Sequence, residues 1–149
     1  MNDYTGKDGD TVKLLRECDA GIKMGISSIN DVVEDAKNPQ LKTLLANCRT
    51  KHEMLASEIE GLLDKHNDEG KEPNPMAKGM SWIKTNVKMM ADFSDSTIAE
   101  LMTDGCNMGV KSLSKYLNQY KSADSKSRDI TQRLVKIEDT LTQDIRQFL

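Results

Sequence analysis

Apolar residues recur at alternating steps of three and four in residues 12–36 and again in residues 41–63. This is the spacing of one face of an α-helix. Asp10 is placed to cap the first helix, and Pro39 disfavours helical geometry in the residue before it, so the first helix should end there. Because two long helices joined by a turn of two or three residues must lie antiparallel, residues 10–66 are predicted to form a helical hairpin.

The same helical spacing returns in residues 98–120 and 130–148, on either side of a short polar turn. A second hairpin is therefore predicted over residues 95–149. The connection between the hairpins, residues 67–94, contains Pro73 and Pro75 and then a weaker helical spacing. We expect a crossover with a short extra helix there.

Residues 1–9 are polar and contain two glycines, so they are predicted to be a flexible tail. The rest of the chain, residues 10–149, has the size of one ordinary domain. The domain is thus predicted to consist of the hairpin 10–66, the crossover 67–94 and the hairpin 95–149.

The two hairpins resemble each other in sequence. Residues 21–29 align with residues 105–113 at an offset of 84, with the shared pattern G-x-x-M-G-[IV]-x-S-[IL]. The second helix aligns with the fourth at an offset of 86, which matches His52 with Glu138. A hairpin cannot bury its apolar face alone, so this repeat predicts a four-helix bundle with pseudo-two-fold symmetry.

Four glycines interrupt the first and third helices, each at a cost of about 1 kcal/mol relative to alanine. They are Gly21, Gly25, Gly105 and Gly109. Glycines at these positions indicate close approach of two helices, or room for a large facing side chain. We favour such packing over a gap for a ligand.

The length of the crossover distinguishes between two bundle topologies. A bundle helix of about 25 residues is roughly 37 Å long at 1.5 Å per residue, and a connection such as 67–94 can travel that distance. This favours the ferritin-like arrangement with one long crossover over a simple up-down-up-down bundle.

Composition excludes several classes of protein. The net charge is −3 with no basic cluster, so a nucleic-acid binder is not expected. No apolar run approaches the ~18–20 residues needed to cross a bilayer, and the N-terminus is unlike a signal peptide, so a cytoplasmic protein with no membrane partner is expected. Cys18, Cys48 and Cys106 lie at apolar helix positions, which predicts buried free thiols.

Four segments resemble an uncharacterised family of bacterial ferritin-like four-helix proteins. They are CDAG at 18–21, EDAKNPQLK at 34–42, PMAKGMSW at 75–82 and IAELMTDGCNMG at 98–109. The similarity covers residues 12–149. It implies the ferritin-like fold, and because that family is itself a domain of unknown function, it implies no activity.

Ferritin-like bundles that bind two metal ions carry Glu-x-x-His on two helices. Here the residues three before His52 and His66 are Arg49 and Leu63, so no standard di-iron site is predicted. A divergent site for a divalent metal such as iron or manganese would need at least three of six candidate ligands to converge. These candidates are His52, Glu53, Glu17, Glu100, Asp104 and Glu138. The alternative for His52 is a core histidine hydrogen-bonded to a neighbour.

Three functions follow as hypotheses, and no catalytic or cofactor-binding residue is predicted. The favoured one is a non-catalytic bundle that acts through a protein partner or by self-association as a homo-oligomer. The second is a divergent metal-binding or redox member of the ferritin-like fold. The third is a small-molecule sensor, which predicts a closed apolar pocket near Gly25 and Gly109.

Overall fold

The computed structural model describes residues 6–71, Pro73, Ile83 and residues 94–149. This part of the chain contains four long helices and no strand. The helices are α1 (Gly6–Val32), α2 (Pro39–Lys65), α3 (Asp95–Gln119) and α4 (Ser125–Asp144), with short 3₁₀ turns at Val33–Asp35 and Ile145–Phe148. The predicted all-α four-helix bundle is confirmed.

The start of α1 differs from the prediction. The helix begins at Gly6, so residues 6–9, which were expected to belong to a flexible tail, are helical, and Asp10 is not the N-cap. The Asp10 carboxylate instead accepts a hydrogen bond of 2.9 Å from the backbone N–H of Ser122, in the turn between α3 and α4. Asp10 therefore binds a backbone N–H of the other hairpin and not one in the first turn of its own helix.

The other three helices begin at side-chain caps. Asn38 accepts from the N–H of Gln40 ahead of α2, Ser94 accepts from Thr97 in α3, and Asp124 accepts from Ser127 in α4. Each oxygen satisfies a backbone donor that has no partner in the first turn of a helix. Pro39 occupies the first position of α2, where its missing N–H has no consequence.

Hydrogen bonds between the two hairpins fix the helix directions. At one end of the bundle, Thr11 near the start of α1 accepts from the N–H of Asp124, which follows α3. At the other end, the carboxylate of Asp95 at the start of α3 accepts from the N–H groups of Lys37 and Asn38, which follow α1. The helices α1 and α3 are therefore antiparallel.

It follows that the connection from α2 to α3 travels the length of the bundle, as the ferritin-like arrangement requires. The predicted extra helix of this crossover lies outside the described residues, apart from Ile83. The side chain of Ile83 is buried and belongs to the core cluster at the end of the bundle where α1 finishes.

The core consists of two apolar clusters, one toward each end of the bundle. The first includes Ile29, Leu45 and Ile98, and the second includes Leu15 and Leu134. All three cysteines are buried free thiols, as predicted. Within the described residues, no helix is both long and apolar enough to cross a membrane.

Candidate functional site

A polar pair lies in the middle of the bundle, between the two apolar clusters. His52 of α2 and Glu138 of α4 are only 2% and 7% exposed. The imidazole Nε2 lies 3.8 Å from the carboxylate Oε1, which is within ion-pair range but longer than a hydrogen bond. Such a pair is a weak source of stability, because removing both charges from water offsets their attraction.

The orientation of the His52 ring is fixed by its own helix. Its Nδ1–H donates a 2.8 Å hydrogen bond to the backbone carbonyl of Cys48, one turn earlier, and the Cys48 Sγ lies 3.6 Å from the same nitrogen. Nε2 is consequently turned toward Glu138. Burial disfavours the imidazolium, but the interactions with Cys48 and Glu138 outweigh it and raise the pKa of His52 to about 10.

Glu138 has fewer hydrogen-bond partners than its two carboxylate oxygens can accept from. Burial raises the pKa of its carboxyl group, and the neighbouring His52 offsets part of that rise. Oε1 faces His52, whereas Oε2 is buried and has no hydrogen-bond partner. An unsatisfied buried carboxylate oxygen is uncommon in a folded protein and needs a reason.

Two of the helical glycines make room for this pair. A Cβ added at Gly25 of α1 would lie 2.9 Å from both Cδ2 and Nε2 of His52. A Cβ added at Gly109 of α3 would overlap the Glu138 carboxylate, with Cδ at 2.8 Å. Gly25 aligns with Gly109 in the repeat, and His52 aligns with Glu138, so the two hairpins make equivalent contacts at equivalent positions. In each hairpin, a glycine of the first helix accommodates a polar side chain of the second.

A cavity of about 280 Å³ opens beside the pair, between α1 and α3. All four glycines at 21, 25, 105 and 109 line it, together with His52 and Glu138. The packing that the sequence favours is therefore found at Gly25 and Gly109 and not at Gly21. Gly25 and Gly109 do face large side chains, but a Cβ at Gly21 would meet nothing within 4 Å.

The rest of the described lining is largely apolar. It includes Met24, Ile29, Leu101, Met102, Leu113 and Leu141, with the thiols of Cys48 and Cys106 and the hydroxyls of Ser28 and Ser112. Burial raises the pKa of Cys106 above its usual range, so its thiol is neutral.

An ion pair lies at the end of the cavity nearest the start of the crossover. Lys71 Nζ lies 2.6 Å from Glu17 Oε1, and the Lys71 backbone N–H donates to Asp19. Tyr116 is beside them, and its pKa is raised by burial and by Glu17. Both Glu17 and Lys71 line the cavity and already have a partner of opposite charge.

Of the six metal-ligand candidates, only His52 and Glu138 come together. Glu17 pairs with Lys71, and the other three, Glu53, Glu100 and Asp104, are exposed. Among the described residues, no three His, Cys, Asp or Glu side chains are placed to hold a metal ion. The convergence that the metal hypothesis requires is not found in this part of the chain.

The third hypothesis placed a pocket near Gly25 and Gly109, where the cavity lies, but sequence reasoning did not combine it with His52 and Glu138 and missed Lys71 and Tyr116 at its end. The signal that could have revealed it was already visible, because the four glycines and the matched pair His52 and Glu138 belong to the same repeat. The helical spacing does not say how far apart α1 and α3 lie.

Comparison with solved structures identifies the fold. A conserved hypothetical protein from Mycobacterium tuberculosis is similar with a TM-score of 0.71 and 12% sequence identity, over 96% of this chain and 99% of that one. Dps from Staphylococcus aureus, which has a ferritin-like fold, is similar with a TM-score of 0.65 and 12% identity, over 97% of this chain and 95% of that one. No family model matches the sequence, and no curated protein matches it significantly. The chain has the ferritin-like fold that its resemblance implied.

Proposed function

We propose that this bundle binds a small organic molecule in the cavity between α1 and α3. The observation that carries the proposal is that all four glycines of the repeat line one cavity. Each glycine in a helix interior costs about 1 kcal/mol relative to alanine. Two of them clear space for His52 and Glu138, and Gly21 faces open space, so helix packing does not account for it.

The size and chemistry of the cavity support this function. Its volume of about 280 Å³ is just below the range of sites for drug-sized molecules, about 300–1,000 Å³, and suits a smaller ligand. Its walls are mostly apolar, and the buried pair of His52 and Glu138 supplies a few converging polar atoms. A mostly apolar pocket with a few fixed polar groups is the usual form of a ligand site.

Filling the cavity from Gly21 tests the proposal. A leucine there would extend into open space from a Cβ that meets no neighbour. The matched control is Gly61→Leu, because Gly61 is an exposed helical glycine of α2 that also has open space around its Cβ and does not line the cavity.

The probes are indole, indene and benzofuran, and binding is measured by isothermal titration calorimetry and by the rise in Tm. We expect at least one of them to bind the wild-type protein and the Gly61→Leu variant with equal affinity. Gly21→Leu should weaken that binding by at least tenfold. Equal binding by the Gly21→Leu variant, or no binding of any probe to the wild-type protein, would contradict the proposal.

The role in protein contacts or self-association that the sequence favours stays a prediction. Its best support is exposed apolar surface, since Met54 and Met108 are 66% and 52% exposed. We also infer that the two hairpins arose as a repeat, and the matching contacts of Gly25 with His52 and of Gly109 with Glu138 support this inference.

A further inference from the structure

The ligand of this cavity can be described by its chemistry. We propose that it is an uncharged molecule with an apolar body and an N–H or O–H group that donates a hydrogen bond to Oε2 of Glu138. This inference rests on the proposed function, because it names the class of ligand that the cavity accepts.

The first step is the missing donor. Glu138 is 7% exposed and lines the cavity, and its Oε2 is buried with no hydrogen-bond partner. Leaving a buried acceptor unsatisfied destabilises the folded state, and the penalty is larger for a charged group. A ligand donor at this oxygen would remove the penalty, so the free oxygen favours ligands that carry one.

The second step is that the neighbouring charged groups are already engaged. His52 donates from Nδ1 to the Cys48 carbonyl and directs Nε2 at Oε1 of Glu138. At the end of the cavity, Glu17 and Lys71 pair with each other. Oε2 of Glu138 is thus a buried carboxylate oxygen of a lining residue for which the described residues supply no donor, and it lies against Gly109, which also lines the cavity.

The role of Oε2 does not depend on where the proton of the pair lies. If the proton is on Nε2 of His52, Glu138 is a carboxylate and both its oxygens accept. If the proton is on Oε1, Oε2 is the carbonyl oxygen of a carboxylic acid and still accepts. A ligand that offers only an acceptor at this position would face another acceptor and be repelled.

The third step concerns the charge of the ligand. The pair of His52 and Glu138 is neutral as a unit in both of these states. A ligand with a full charge would add an uncompensated charge to a mostly apolar cavity, which is costly, and an anion would also meet the Glu138 oxygen directly. A neutral alcohol, amide or ring N–H carries the donor without that cost.

The three probes provide a direct test because they share one bicyclic shape. Indole places an N–H where indene has a CH₂ group and benzofuran has an ether oxygen. Since a hydrogen bond to a charged acceptor is worth about 1.5–3 kcal/mol, we expect indole to bind the wild-type protein about tenfold or more tightly than either of the other two. Equal affinities, or tighter binding of benzofuran, would overturn the inference.

A variant and a matched control assign the preference to the proposed atom. In Glu138→Gln, the side-chain amide can turn its NH₂ toward the ligand, so the ratio of benzofuran to indole dissociation constants should fall to about one. Glu53→Gln, an exposed carboxylate next to His52 in sequence, should leave the wild-type ratio unchanged. An unchanged ratio in Glu138→Gln would overturn the assignment to Glu138.

The two proposals fail in different ways. If all three probes bind equally and Gly21→Leu blocks them, the cavity is a binding site and the inference about the donor is wrong. If no probe binds the wild-type protein, both proposals are wrong. Should Glu138→Gln not fold, as judged by circular dichroism, the comparison of the three probes on the wild-type protein decides the inference alone.

Discussion

Replacing Gly25 with alanine should destabilise the bundle, although alanine is the better helix former. At an unobstructed helix position the change stabilises by about 1 kcal/mol. At Gly25 the new methyl group would lie 2.9 Å from Cδ2 and Nε2 of His52, well inside the 3.5–4.0 Å at which carbon atoms attract. The sign of the effect therefore depends on whether the ring can move.

The ring has little freedom to move, because Nδ1 is held by the 2.8 Å hydrogen bond to the Cys48 carbonyl. Breaking that bond costs about 0.5–1.5 kcal/mol, and overpacking a filled site costs about 1–3 kcal/mol. After the gain in helix propensity of about 1 kcal/mol is subtracted, Gly25→Ala should reduce the free energy of unfolding by about 0.5–3.5 kcal/mol.

The assay is urea denaturation followed by circular dichroism, with two controls. Gly21→Ala, one turn earlier on α1, and Gly61→Ala on α2 both place the methyl group in open space and should stabilise by about 0.5–1 kcal/mol. Because the gain in helix propensity is common to all three variants, Gly25→Ala should fall about 1.5–4.5 kcal/mol below the controls. A Gly25→Ala variant as stable as the two controls would refute the reasoning.

A double-mutant cycle identifies the obstacle. In a His52→Ala background, Gly25→Ala should no longer destabilise, which gives a coupling of about 2 kcal/mol between the two positions. A coupling near zero would mean that the ring is not what opposes the methyl group. If His52→Ala does not fold, the comparison with Gly21→Ala and Gly61→Ala stands as the test.

Three further predictions concern other parts of the bundle. His52 has a folded-state pKa of about 10 against an ordinary value of 6.5, so its contribution to stability is present below pH 6.5 and is lost as the pH rises toward 10. Across that range the free energy of unfolding should fall more steeply in the wild-type protein than in His52→Gln, by up to about 1.4 kcal/mol per pH unit. Parallel pH profiles of the two proteins in urea denaturation would contradict this. Burial raises the pKa of Cys18 to about 12 and that of Cys106 above its usual range, so in a Cys48→Ser background neither thiol should react with Ellman's reagent at pH 8 until urea unfolds the chain. Rapid labelling of the native Cys48→Ser protein would contradict this. Asp95→Ala removes the acceptor of two backbone N–H groups and should reduce the free energy of unfolding by about 1–2 kcal/mol. The control Glu58→Ala breaks an exposed ion pair with Arg133 and should change that free energy by less than about 1 kcal/mol. Equal effects of the two variants in urea denaturation would count against the role of Asp95.

The helices and the topology could be predicted because they depend on local signals. Apolar spacing, Pro39 and the length of the crossover are all properties of the sequence itself. The start of α1 could not be predicted in the same way, because the partner of Asp10 is Ser122, which is distant in sequence. In the sequence, an aspartate that caps a helix cannot be distinguished from one that accepts a hydrogen bond from the other hairpin.

The candidate site shows a similar division. The offset of 86 matches His52 with Glu138, and positions matched in this way can face each other only near the middle of an antiparallel pair, which is where these two lie. Glu53 follows His52 directly and is therefore rotated by about 100° around the helix, out to the surface. Residue type alone could not show which of the two carboxylates, Glu53 or Glu138, lies in the core, whereas the position of each residue around its helix could.

The unfavourable features of this bundle are concentrated at one level between its two apolar clusters. A buried ion pair can often be replaced by apolar residues of similar volume with no loss of stability, and the glycines that accommodate it weaken the helices further. At the same level lie the unsatisfied Oε2 of Glu138 and the open space at Gly21. Each of these features alone has a structural explanation, but together they reduce stability around a single cavity. A ligand that fills the cavity and donates to Oε2 offsets the last two of these features, and for this reason the middle of the bundle is where we place its function.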